Sequence, residues 1–279
     1  MGFVLSRDQD RPDKSDDLAA TVDDGRESRP RRRQSIDVLH RDDDLIVLNK
    51  PVGTAIEEGF EDDPSVFEQL ARRGLASGEP DALNVVCPLD AEAGGLLLLA
   101  TRLEAAELLR RRLADGTLEA CHLALVRGRI TGRSGTIDRR VAPQILDRPP
   151  RIDDQRGLPA VTDWSLRDGF VGYSLLECRP RTAVPGQIRV HLASAGMPLV
   201  VDHLCGGLGE LRLSSFKADY HPSRRHAERP LIARLTLHAL SARLPHPATG
   251  AELRFEAPLP KDFRAALYQL DKYGRLPRV

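Results

Sequence analysis

Val86-Cys87-Pro88-Leu89-Asp90-Ala91-Glu92-Ala93-Gly94-Gly95 leads straight into Leu96-Leu97-Leu98-Leu99-Ala100. A short apolar run opened by two glycines reads as a buried strand with a turn in front of it. Similar runs recur at residues 123–126, 173–178 and 235–240, each bounded by charges or turn residues. Together they predict the strands of a substantial sheet. Between the first two, residues 104–113 place Ala105, Leu108, Leu109 and Leu113 on one face, with Arg110, Arg111 and Arg112 elsewhere, which predicts an amphipathic helix. A second helix is expected over residues 186–195, where Ile188, Leu192 and Ala195 share a stripe and Gly196 and Pro198 supply a stop. A third, over residues 261–272, turns Phe263, Leu267 and Leu270 inward. Strands and helices alternate irregularly and no segment repeats, so the expected class is α+β rather than a doubly wound sheet.

The chain has 279 residues, 41% hydrophobic and 29% charged, enough to bury one large core. No stretch approaches the roughly 20 apolar residues that span a bilayer, and the N-terminus lacks an apolar signal core, so a soluble cytoplasmic protein is expected. Cys87, Cys121, Cys178 and Cys205 are far apart and form no Cys-x-x-Cys pair, which predicts reduced thiols and no metal. Net charge is zero, from 41 basic and 41 acidic residues, so no global basic field announces a nucleic acid. Only five of the basic residues are lysines, leaving 41 − 5 = 36 arginines. Arginine suits bidentate phosphate contact, although a codon bias explains the same count.

Residues 1–35 carry eight acidic and eight basic side chains and few large apolar ones, the composition of a disordered tail. From Ile36 the texture changes. Ile36-Asp37-Val38-Leu39, Asp42-Asp43-Asp44 and Leu45-Ile46-Val47-Leu48-Asn49-Lys50-Pro51 read as strand, acidic turn, strand and loop. One folded domain is expected over residues 36–274, with a short tail at 275–279.

Several blocks, in order, resemble the RluA-like family of RNA pseudouridine synthases. Asn49-Lys50-Pro51-Val52-Gly53 resembles the family's opening loop, and Leu89-Asp90 with Gly95-Leu96-Leu97-Leu98 resembles its His-Arg-Leu-Asp-x-x-x-Ser-Gly-Leu-Leu-Leu. Leu123-Ala124-Leu125-Val126-Arg127-Gly128, Tyr173 to Pro180, Gln187-Ile188-Arg189-Val190-His191-Leu192 and His246-Pro247-Ala248-Thr249-Gly250 resemble later blocks. The resemblance implies a mixed, mainly antiparallel sheet with flanking helices in a single catalytic domain. It also implies isomerisation of uridine to pseudouridine in rRNA or tRNA, without cofactor or metal, by a protein expected to be a monomer.

In that resemblance Asp90 matches the catalytic aspartate, and Arg189 matches the basic residue that pairs with it. A carboxylate in a water-poor pocket protonates unless a cation or hydrogen bonds hold it ionised, and Arg189 supplies the cation. Taken without the resemblance, Asp90 reads as a turn or helix-cap aspartate and Arg189 as a surface arginine. His122 stands where the family carries a tyrosine; imidazole stacks on a base or relays a proton, or simply packs. His191, two residues beyond Arg189, faces elsewhere and is expected to support its helix. RNA contact is assigned to Lys50 and Gln187 in the matched blocks, and to Lys217, Arg224 and Arg225 in the insertion that follows Leu211, whose aromatic and cationic mixture suits stacking and phosphate contact.

The departures point to a stripped site. Cys87-Pro88 replaces the family's His-Arg, removing a residue able to fill the gap left by a flipped base. Ala183-Val184-Pro185-Gly186 replaces Gly-Arg-Thr-His, so fewer phosphate contacts are expected at the cleft. An inactive RNA-binding relative therefore stands as the alternative to an active synthase. A glycosidase is disfavoured because Glu92 is the only acid close to Asp90 in sequence.

Overall fold

The strand that follows Asp90 is buried at every position from Gly94 to Ala100. Burial on both faces accounts for a run of leucines where a one-sided strand would alternate. The structure is a computed structural model that describes residues 35–59, 63–75, 83–143, 149–223 and 226–276. The expected N-terminal tail, except Ser35, lies outside the described residues, as do Arg224 and Arg225.

The strands are β1 (Asp37–Arg41), β2 (Leu45–Lys50), β3 (Asn84–Val85), β4 (Gly94–Ala100), β5 (Glu119–Arg127), β6 (Ser134–Asp138), β7 (Val141–Ala142), β8 (Arg151–Ile152), β9 (Val161–Phe170), β10 (Tyr173–Pro180), β11 (Leu237–Pro245) and β12 (Glu252–Glu256). The helices are α1 (Val66–Arg72), α2 (Leu103–Asp115), α3 (Gln187–Ser194) and α4 (Lys261–Gly274). Ten strands form one sheet in the order β1-β2-β4-β11-β5-β10-β9-β6, with β3 on β4 and β12 on β11, while β7 and β8 form a separate ribbon. All pairings are antiparallel except β4 with β11, so the sheet is mixed and mainly antiparallel, as expected.

The three expected helices form α2, α3 and α4 with slightly shifted ends. Gly116 closes α2 in the left-handed conformation, at φ 82°. α1 escaped the sequence reading, although Ser65 and Glu68 spell its capping box: the Glu68 amide donates to Ser65 Oγ at 3.1 Å, and the Ser65 amide donates to Glu68 Oε2 at 2.7 Å. The expected C-terminal tail is also corrected at its start. The Leu276 amide donates to the Gly169 carbonyl at 3.1 Å and Arg275 bridges to Phe170, so the folded body reaches residue 276.

α2 buries Ala105, Ala106, Leu109 and Leu113 in the same apolar cluster as Leu97 and Leu99. α3 buries Ile188 and Leu192 in another, beside Ala124, Leu176, Cys178 and Leu237. Near the acidic turn, Asp42, Asp44 and His246 converge, but the acceptor atoms of Asp42 and His246 are already engaged. Asp42 Oδ1 accepts the amides of Asp44 and Leu45, Oδ2 accepts His40 and His246, and His246 Nδ1 accepts the amides of Ala248 and Thr249. This is a hydrogen-bonded pin between two turns.

The parallel pairing of β4 with β11 spans only His238↔Gly94 and Ala239↔Gly95. Gly95 sits there at φ 112°, and a Cβ on it would lie 2.0 Å from the Ala239 carbonyl oxygen. Gly95→Ala is therefore expected to destabilise the fold by about 3 kcal/mol or more, roughly 6–12 °C in Tm. A thermal melt matching wild type would show that the two strands separate there without strain.

Candidate active site

Asp90 occupies the turn that delivers the chain into β4, and that turn is tied from behind. The Ala93 amide donates to the Asp90 carbonyl at 3.0 Å, and the Ala91 carbonyl accepts the Gly53 amide at 2.8 Å. Lys50 Nζ donates to the carbonyls of Ala91 (3.0 Å), Thr54 (2.8 Å) and Pro51 (3.2 Å). All three ammonium hydrogens are thereby used and Lys50 is buried, so in place of the expected RNA contact it supports the wall behind Asp90. Burial pushes Lys50 down to about 7, against the pull of the Asp90 charge.

α3 supplies the facing cation. Arg189 Nη1 donates to Asp90 Oδ1 at 3.0 Å. The other edge of the guanidinium grips Asp202, with Nε to Oδ2 at 2.9 Å and Nη2 to Oδ1 at 2.6 Å. Asp202 Oδ1 also accepts the amides of Leu204 (2.9 Å) and Cys205 (3.0 Å). The Asp202 side chain is 0% exposed, that of Arg189 2% and that of Asp90 19%. A buried anion thus fixes the guanidinium, which offers its remaining nitrogen to the partly open Asp90.

The shifts follow this geometry. Burial works against the charge on Arg189, but the hydrogen bonds and charges of Asp202 and Asp90 outweigh it and hold its pKa above the ordinary value. Burial would raise Asp202, yet Arg189 and the two amides hold it below the usual carboxylate range. Asp202 was absent from the sequence reading, and Glu92 is accordingly not the only acid of the group. Glu92 Oε2 stands 3.9 Å from Arg189, too far for a hydrogen bond. The available signal was the apolar run Leu199-Val200-Val201 ending in a lone Asp, since a buried arginine needs a buried anion.

Asp90 and His122 open into one small cleft, whose walls include Leu237 of β11 and the loop at Thr182, Val184 and Gly186. The space is about 30 Å³, enough for about one water. His122 is 4% exposed, and its Nδ1 has no hydrogen-bond partner. Burial, and to a smaller degree His238, pushes its pKa down to about 4. The ring is a neutral plane at physiological pH. The unfolded chain takes this proton first, near 6.5, so the His122 contribution to stability is expected to be lost as pH falls from 6.5 to about 4. Denaturant melts of wild type and His122→Phe across that window test this: equal pH slopes would place the titration elsewhere.

Gln187 is buried at the start of α3. Its Nε2 donates to the Val161 carbonyl and to Thr162 Oγ1, both at 2.8 Å, and its Oε1 accepts from Thr182 Oγ1 at 2.7 Å. It binds the cleft loop to β9 and has no spare amide hydrogen pointed at a ligand, a second departure from the expected RNA contacts. His191 supports its helix, with Nδ1 2.9 Å from Thr162 Oγ1 and Nε2 2.9 Å from the Arg139 carbonyl. Lys217 stands over the Tyr273 ring of α4, 4.7 Å from its centroid. The Cys87 thiol is buried and pushed up to about 12, which makes it a packing group rather than a nucleophile. Among the described residues no helix is long and apolar enough to cross a membrane.

Known proteins share this arrangement of sequence and fold. The Ribosomal large subunit pseudouridine synthase C of Escherichia coli K12 is 32% identical over 238 residues, spanning 84% of this chain and 69% of its own. The Salmonella typhi protein of the same name is 32% identical over 234 residues, 82% of this chain and 68% of its own. The Ribosomal large subunit pseudouridine synthase D of Nitrosomonas europaea is 31% identical, with coverages of 82% and 64%. Two solved human structures share the fold. RNA Pseudouridylate Synthase Domain Containing 4 has a TM-score of 0.57 at 21% identity, covering 87% of this chain and 95% of its own. Domain Containing 1 has a TM-score of 0.56 at 22% identity, covering 86% and 88%. The profile described as RNA pseudouridylate synthase matches residues 44–194, a span that holds both Asp90 and Arg189, and the chain belongs to that family.

Proposed function

We propose that the protein isomerises uridine to pseudouridine in ribosomal RNA, with Asp90 acting at the ribose and Arg189 as its positioning cation. The observation that carries this reading is the Asp90–Arg189–Asp202 chain at the mouth of the cleft. A partly open carboxylate aimed by a buried guanidinium, itself anchored by a second buried carboxylate, suits an anion that has to be held ionised and in place. The names of the curated relatives, ribosomal large subunit pseudouridine synthases, support ribosomal RNA as the substrate class.

The reaction breaks the N1–C1′ bond, turns the base and forms C5–C1′, while the C5 proton leaves and N1 gains one. Asp90 acts as a nucleophile on the ribose or as an anion opposite the developing positive charge. Arg189 fixes the direction of the carboxylate in either case. His122, neutral and held near pKa 4, is a weak base, so its part is to offer a flat face to the base.

The test is genetic and chemical. Deleting the gene should remove pseudouridine from one or more large-subunit rRNA positions, wild type should restore it and Asp90→Asn should not. Unchanged modification after deletion, or full restoration by Asp90→Asn, would leave the non-catalytic RNA-binding reading instead.

A further inference from the structure

Among the described residues the catalytic cleft contains no phosphate grip of its own. None of the described residues that line it is a lysine or an arginine, and Arg189 behind it is committed to two carboxylates. Phosphate contact supplies most of the affinity of RNA-binding proteins, so a protein acting on RNA has to find it elsewhere on its surface.

A second cleft, of about 500 Å³, lies where the loop after β5 meets β9 and the end of α4. Arg129, Arg133, Arg167 and Arg275 line it, with Asp168 as the single carboxylate. In a chain of zero net charge this is a local concentration of four cations against one anion. Its frame is fixed by main-chain and hydroxyl bonds. The Gly128 amide donates to the Gly172 carbonyl (2.8 Å), the Ile130 amide to Ser174 Oγ (3.1 Å), and the Leu166 amide to the Arg133 carbonyl (2.8 Å).

Arg129, Arg167 and Arg275 are held loosely. Arg167 reaches Glu177 at 3.4 Å, but Arg179 already binds the other oxygen of that carboxylate at 2.6 Å. Arg275 is shared between Asp168 at 3.4 Å and Asp271 at 2.7 Å. Arg129 has no carboxylate partner among the described residues. Exposed pairs of this kind are worth about 0–1 kcal/mol, so a phosphate can displace them.

We propose that this second cleft is a site for the RNA phosphodiester backbone, remote from the reacting uridine. The inference rests on the RNA-directed function proposed above. The two clefts sit toward opposite ends of the same three strands. In β5, His122 is the fourth residue, level with Cys178 of β10, and Arg129 follows the strand's far end. In β10, Pro180 faces the catalytic cleft while Tyr173 begins the strand beside the basic one. In β9, Thr162 anchors Gln187 and Arg167 lines the basic cleft. Arg129 lies seven positions after His122, a reach of at most about 25 Å. One structured RNA can therefore occupy both sites, the remote one gripping backbone and the other receiving a base.

The test uses the full chain and an RNA hairpin of about 16 base pairs with a uridine-containing loop. Arg129→Gln combined with Arg167→Gln should lower the slope of log K against log salt by roughly 1.4–1.8, from two lost phosphate contacts. Arg129→Glu alone should weaken binding in the same sense through repulsion, and Asp90→Asn should bind with the wild-type slope. Binding is read without turnover, so a fall in slope supports the basic cleft even where the isomerase reading fails. A wild-type slope in folded double-variant protein overturns the proposal whether or not the enzyme is active. Loss of poly-glutamate binding with RNA binding unchanged overturns it as well, and assigns the cleft to an acidic protein.

Discussion

Asp90→Asn is expected to reduce pseudouridine formation by roughly a thousandfold or more while leaving fold and RNA affinity close to wild type. Asparagine keeps the shape and one acceptor oxygen, so Arg189 retains a partner at the position now 3.0 Å away. What disappears is the negative charge and the nucleophilic oxygen, and both proposed roles at the ribose require one of these. The Asp90 side chain is 19% exposed and lies in a turn held by main-chain bonds, which is why the change should leave stability nearly untouched. Single-turnover assays on rRNA fragments, alongside hairpin binding, check both halves. Turnover within tenfold of wild type would remove Asp90 from the chemistry.

Asp202→Ala should act in the opposite proportion, damaging stability first and catalysis through Arg189. Removing one partner of a buried ion pair leaves the other charge uncompensated, a loss of about 3–5 kcal/mol. Arg189 would then lose two of its three close carboxylate contacts, and its aim at Asp90 would loosen. Displacement by about 1 Å at a reacting group costs on the order of a hundredfold in rate. The expected signature is a fall in kcat of that size with KM near wild type, because Asp202, fully buried, does not meet the RNA. Asp202→Glu provides a check on mere unfolding, since it preserves the charge. A loss confined to KM, with kcat intact, would count against a positioning role.

Lys50 and Gln187 illustrate how far a motif carries. Their places in the sequence were legible from the blocks around them, yet their directions were not. Lys50 ends β2, beside a loop whose three carbonyls converge on its ammonium from Pro51, Thr54 and Ala91; one of these lies 41 residues away. Gln187 turns toward β9 because the Val161 carbonyl and Thr162 hydroxyl wait there, 25–26 residues earlier in the chain. Side-chain direction at both positions depends on partners that no local spacing reveals.

The sequence by itself determined the class and several of the elements. The leucine run of β4, the helical stripes of α2, α3 and α4 and the glycine stops are local patterns, set by the periods of strand and helix and by backbone freedom at glycine. It also placed Asp90 and Arg189 as candidates through ordered motifs. Tertiary structure alone decided that Asp202 locks the arginine that meets Asp90, and that His122 is buried deeply enough to stay neutral. The same holds for the basic cleft: Arg129, Arg167 and Arg275 are scattered along the chain and converge only where β5, β9 and the end of α4 come together. Hydrogen bonds, desolvation and charge act over a few ångströms of space, and those distances exist only once the sheet has brought remote segments side by side.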